Sequence, residues 1–125
     1  MSNEIENSGV SSDVLAAFDA MWGLHPSPVL LIKANREIVA ANEEMKKLGV
    51  SPGMKCFQLT GKDKICEGCL GNEALKENMG KRKAAWQEEL NMFYDSYWVP
   101  VQGQKGLFVH FGNDITPYVK EGQCE

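Results

Sequence analysis

The stretch Pro28-Val29-Leu30-Leu31-Ile32-Lys33-Ala34-Asn35-Arg36-Glu37-Ile38-Val39-Ala40-Ala41-Asn42 decides the fold. Val29 to Ala34 is a short apolar run, which suits a strand covered on both faces. Asn35-Arg36-Glu37 is polar and suits a tight turn. Ile38 to Ala41 resumes the apolar pattern, so residues 29–41 read as a β-hairpin. Asn42 follows as a good N-cap for a short helix, Glu43 to Leu48, which Gly49 closes.

Upstream, residues 1–10 are polar and predict a disordered tail. Ser11 and Ser12 can each cap a helix, and Asp13 suits its first turn. Val14, Leu15, Phe18, Met21 and Trp22 recur at helical spacing, before Gly23, Pro26 and Pro28 end the helix. That stripe serves equally to cover the chain's own core or to pair with a second copy through Val14, Leu15, Phe18 and Trp22.

Downstream, residues 50–71 are glycine-punctuated and irregular. Asn72 to Met79 reads as a helix with Leu75 and Met79 on one face. Lys81-Arg82-Lys83 reads as a solvated loop. Three strand-like stretches follow: Ala85 to Leu90, Phe93 to Val101 and Leu107 to Phe111. The last two are joined by the flexible Gln102–Gly106 loop. In the last strand Leu107, Val109 and Phe111 share one face, with Phe108 and His110 on the other. Thr116, with Pro117 behind it, is placed to cap a closing helix. The order predicts an α+β domain over residues 11–121. Its core is a five-stranded antiparallel sheet with helices on one face and an N-terminal flanking helix. Residues 122–125 are a tail or the start of a connecting helix.

Composition narrows the function. The chain has 125 residues, 13 basic and 17 acidic, for a net charge of -4. One domain of this size holds a core without staples. Mild acidity argues against nucleic acid as a partner, which needs a concentrated basic surface. No apolar stretch approaches the roughly 20 residues of a membrane span. The polar start lacks the basic and apolar parts of a secretory signal. A cytoplasmic location with reduced thiols is the expectation.

The element order and certain residues resemble the PAS family over roughly residues 12–121. Pro28 to Ile32 and Ile38 to Asn42 look like the family's first hairpin, which commonly ends on this asparagine. Phe111-Gly112-Asn113-Asp114-Ile115-Thr116 is similar to the Asp-Ile-Thr exit into a connecting helix. The resemblance implies a sensor whose sheet and helices enclose a ligand space. It also implies signalling through flanking helices, often across a homodimer, to a histidine kinase or other effector in cis or in trans. Fold alone does not fix function.

The most distinctive local feature is Cys56 followed by Cys66-Glu67-Gly68-Cys69, a C-x9-C-x2-C spacing. It resembles a variant of PAS domains in bacterial sensor kinases. A C-x2-C pair suits zinc or an iron–sulfur cluster, with Cys56 as third thiolate. A closed site needs a fourth ligand, and Cys124, His25 and His110 are all distant in sequence. Inert thiols, a metal or cluster site and a reversible disulfide therefore all stay open. Other cofactors fit less well. The asparagine–cysteine–arginine sequence of flavin-binding relatives is absent around Cys56, and the 72–79 helix has no histidine for haem.

Nothing reads as an enzyme. There is no glycine-rich phosphate loop after a strand and no nucleophile elbow. Glu88 and Glu89 are adjacent, and in a strand would point to opposite faces. A ligand pocket would draw on Leu31, Trp86, Tyr94, Trp98, Val109 and Phe111 from the sheet, with Leu75 and Met79 opposite. Tyr94 and Trp98 matter most, because each carries a polar tip that wants a partner when buried. Two functions follow: a sensory input domain binding a small ligand or metal, or a ligand-free module that dimerises.

Overall fold

The computed structural model describes residues 10–66 and 68–119. Both ends of the expected tails, residues 1–9 and 120–125 with Cys124, lie outside the described residues. Val10, expected in the disordered tail, is buried against the sheet.

Helix α1 spans Ser12–Trp22. Ser11 caps it, its hydroxyl accepting from the Val14 amide at 3.3 Å. Strands β1 (Val29–Lys33) and β2 (Ile38–Ala41) form the hairpin. Helix α2 spans Glu43–Lys47 and α3 spans Gly71–Glu77. A 3₁₀ turn at Cys56–Thr60 lies between them. Strands β3 (Lys81–Gln87), β4 (Met92–Pro100) and β5 (Leu107–Asp114) complete one five-stranded antiparallel sheet. Its order is β2-β1-β5-β4-β3. The two halves of the sheet, far apart in sequence, join where β1 pairs with β5, from Val29 opposite Phe111 to Lys33 opposite Leu107.

Alternation along the strands builds two cores. Leu30, Ile32, Trp98 and Phe108 face inward with Met45, Val50 and Ala74 of the helical segment. Val29, Leu31, Leu107 and Val109 face outward, where α1 covers them. Phe18 is buried there, and Val14, Leu15 and Trp22 pack around it. Burying a phenylalanine in this way contributes about 1.5–3 kcal/mol. The four residues that could have met a second copy therefore cover their own sheet. The large apolar residues that α1 and its exit present to solvent are Met21 and Leu24, which are 75% and 92% exposed.

Three further expectations are corrected. Lys81-Arg82-Lys83 is not a loop but the start of β3. At a sheet edge the outer side of the strand meets water, so charge costs little there and deters edge-to-edge pairing. The stretch expected as a strand to Leu90 ends at Gln87, and Glu88–Leu90 turns as a 3₁₀ segment. Thr116 does not cap a helix. Its hydroxyl accepts from the Phe93 amide at 2.7 Å, and its own amide donates to Asp114 at 3.0 Å. A 3₁₀ turn, Thr116–Tyr118, follows.

Candidate functional site

A cavity of about 500 Å³ lies between the inner face of the sheet and the helical segment. That volume suits a small molecule. Leu30, Ile32, Trp98 and Phe108 form its sheet wall, and Met45, Leu48 and Val50 one apolar end. Cys56, Cys66 and Cys69 line it together with Arg36 and Lys83.

The turn of the first hairpin builds the site's charged side. Arg36 has φ 76°, in the left-handed region, which costs a non-glycine residue about 1 kcal/mol. Its amide donates to Lys33 O at 2.7 Å, and its carbonyl accepts from the Cys56 amide at 3.0 Å. The side chain is fully buried. Its guanidinium donates to Ala34 O at 2.6 Å and Asn72 Oδ1 at 3.2 Å, and approaches Cys69 Sγ at 3.6 Å. It sits 5.3 Å from the centre of the Phe108 ring. Arg36 Nε is buried with no hydrogen-bond partner. Gly71 makes this packing feasible. A Cβ there would lie 2.9 Å from the guanidinium and 3.0 Å from Phe108.

The three cysteines all line the cavity. Cys69 donates its amide to Cys66 O at 3.1 Å, closing the C-x2-C turn. All three are free thiols. Among the described residues, no three of His, Cys, Asp and Glu come together as a metal ion requires. Burial pushes the Cys56 thiol up to about 11; nearby Cys69 and Cys66 add to this and Arg36 opposes it. Only a thiolate attacks an electrophile, and at pH 8 about one Cys56 in a thousand is ionised. Iodoacetamide should therefore label Cys56 about a hundredfold more slowly in the folded chain than in urea. The rate should climb with pH toward 11, as peptide mass mapping would show. Equal labelling at pH 8 in both states would refute the buried-thiol assignment. Stability follows the same proton. The folded thiol holds it to higher pH, so this contribution is complete below pH 9 and is lost as pH rises through about 11.

His110 stacks on Trp98 with ring centres 4.9 Å apart. Its Nδ1 lies 2.8 Å from the Tyr97 carbonyl. A carbonyl only accepts, so Nδ1 carries the proton and neutral Nε2 offers a lone pair. Burial holds this imidazole below its ordinary 6.5, against the Tyr97 hydrogen bond and with help from the charge of Arg36. The ring is neutral at physiological pH.

Of the residues expected to line a pocket, Tyr94 and Trp98 face it, and Phe111 borders it although its ring lies on the α1 side against Trp22 and Tyr97. Leu31 and Val109 point to the opposite face, under α1. Leu75 packs beside the inner core without reaching the cavity, and Met79 and Trp86 are exposed. Sequence reasoning missed Arg36, Ser96 and His110. The strand alternation does carry a signal for two of them. Placing Trp98 inward obliges Ser96 and the opposed His110 to follow. Arg36 gave none, because an arginine in a polar turn ordinarily meets water.

No family model matches the chain, and no curated protein matches it. Solved structures do. A domain of an HTR-like protein from Haloarcula marismortui is similar with TM-score 0.58 and 19% identity, over 73% of this chain and 99% of that one. A sensory box sensor histidine kinase from Vibrio cholerae is similar with TM-score 0.58 and 16% identity, over 87% of this chain and 93% of that one. At such identities the likeness speaks to the backbone alone, and it establishes a PAS-like α+β fold.

Proposed function

We propose that the chain is a sensory input domain of a cytoplasmic signalling system, whose cavity binds a small ligand and whose flanking segments relay occupancy to an effector. The carrying observation is the cavity of about 500 Å³ on the inner face of the sheet. A concave space of that size, mostly apolar with a few polar groups, is the ordinary form of a small-molecule site. Phe111 supports the relay, since it lines the cavity and also lies 5.1 Å, centre to centre, from Trp22 of α1. The structural neighbours include a sensor histidine kinase, so a kinase in cis or in trans is the effector we favour. Binding rather than turnover is the better reading of the chemistry: Cys56 is held as a thiol, and Nδ1 of His110 is committed to a carbonyl.

Native mass spectrometry of the chain, purified gently and without oxygen, tests this. A bound small molecule, or a library compound that raises the thermal midpoint, is expected. Ser96→Phe, which fills the cavity from its wall, should abolish either signal. A chain that carries nothing, responds to nothing and gains stability from Ser96→Phe would have an empty core, and the sensor reading would fail.

A further inference from the structure

Charge around the cavity runs against charge in the chain. Acidic residues outnumber basic ones overall, 17 to 13. Yet Arg36, Lys62 and Lys83 line the cavity, and among the described lining residues none is Asp or Glu. Two of these cations flank the Gly68–Gly71 segment. The Arg36 guanidinium lies beneath Gly71, where a Cβ would be 2.9 Å from it. The Lys83 ammonium reaches across from the edge strand to Gly68, where a Cβ would be 2.9 Å away.

Arginine does not lose its proton inside a protein. A buried charge with no opposite charge is costly. Among the described residues no carboxylate pairs with Arg36. Its acceptors, the Ala34 carbonyl and the Asn72 amide, are neutral. The neighbouring Cys56 is a thiol at neutral pH and supplies no charge. Leu30, Met45, Leu48 and Val50 add apolar lining. The site thus combines cations with an apolar wall.

We propose that the ligand is a small organic monoanion, a carboxylate on an apolar body, with its head group beside the Gly68–Gly71 segment flanked by Arg36 and Lys83 and its body against Leu30, Met45 and Val50. This rests on the cavity reading above and names its ligand class. Lys83 is exposed and already solvated, so the buried guanidinium is the charge that lacks a counter-charge, and one carboxylate supplies it. The planar fork of arginine also matches a carboxylate.

Matched acid and amide pairs test the charge directly: phenylacetate with phenylacetamide, indole-3-acetate with indole-3-acetamide, hexanoate with hexanamide. Each is titrated into the full chain by calorimetry and by thermal midpoint. At least one acid should bind about tenfold or more tighter than its amide, and added salt should narrow the gap. Lys83→Gln, at an exposed edge position, should narrow it without disturbing the fold. Arg36→Met should abolish it where the variant folds. Acids that bind no better than their amides in every pair, whether both bind or neither does, would overturn the proposal. So would a gap that Lys83→Gln leaves unchanged. Equal binding of acids and amides would leave the sensor reading intact. No binding, together with no co-purified mass, would remove both.

Discussion

Replacing Asn42 with alanine is expected to cost about 3–4 kcal/mol of folding stability. The side chain is completely buried and all its hydrogen-bonding capacity is used. Oδ1 accepts from the Val29 amide at 3.0 Å and the Met45 amide at 3.2 Å. Nδ2 donates to the His25 carbonyl at 3.1 Å and the Ser27 carbonyl at 2.8 Å. One amide thus ties the start of β1, the first turn of α2 and the segment leaving α1. Alanine would strand two buried donors and two acceptors, and a stranded buried group costs more than the bond was worth. Asn42→Asp is the informative control. It keeps both accepting contacts but turns a second oxygen toward two carbonyls, so it should also be severely destabilising at neutral pH. Urea midpoints with unchanged slopes would measure both. A loss below about 1 kcal/mol for alanine would mean the network is not a structural linchpin.

The second large effect is expected at Gly112, where alanine should cost about 3 kcal/mol or more. Space is the reason. A Cβ there would lie 2.2 Å from Cε2 of Tyr94 and 2.9 Å from the backbone oxygen of Asp95. The ring could swing away, but the carbonyl belongs to β4, whose Ser96 pairs with Gly112. The two strands would have to part in the middle of the sheet. Removing the ring separates these causes. In a Tyr94→Ala background, Gly112→Ala should cost less but should still cost, because the carbonyl remains. Full additivity of the two substitutions would show that the tyrosine does not lie over the glycine.

Much of this architecture is legible in the residues. The hairpin, the cap at Asn42 and the apolar stripe of α1 each follow from local spacing that tertiary context did not override. The pairing of distant halves follows from the element order. The sheet's polarity was not legible. In β1 the run Val29 to Ile32 is buried on both sides, because α1 covers one face and the helical segment the other. With both faces apolar, alternation fixes which residues travel together but not which group faces the cavity. Leu31 and Val109 therefore lie under α1, against expectation, while Trp98 and Tyr94 of β4 face the cavity. The outward face of β4 is more polar, with Asp95 bound by Arg82 at 2.7 Å and by the Tyr97 hydroxyl at 2.9 Å. Arg36 was illegible for another reason. Its burial depends on Gly71 and Phe108, respectively 35 and 72 positions away in the chain, and no local pattern reports that.

Phe111 borders the interior space while its ring stacks on Tyr97 at 4.9 Å and leans on Trp22. Only the width of a single backbone separates what is held inside from what rests outside. Under the proposed reading, a substitution of Phe111 would alter the cavity wall and the contact with α1 in one step.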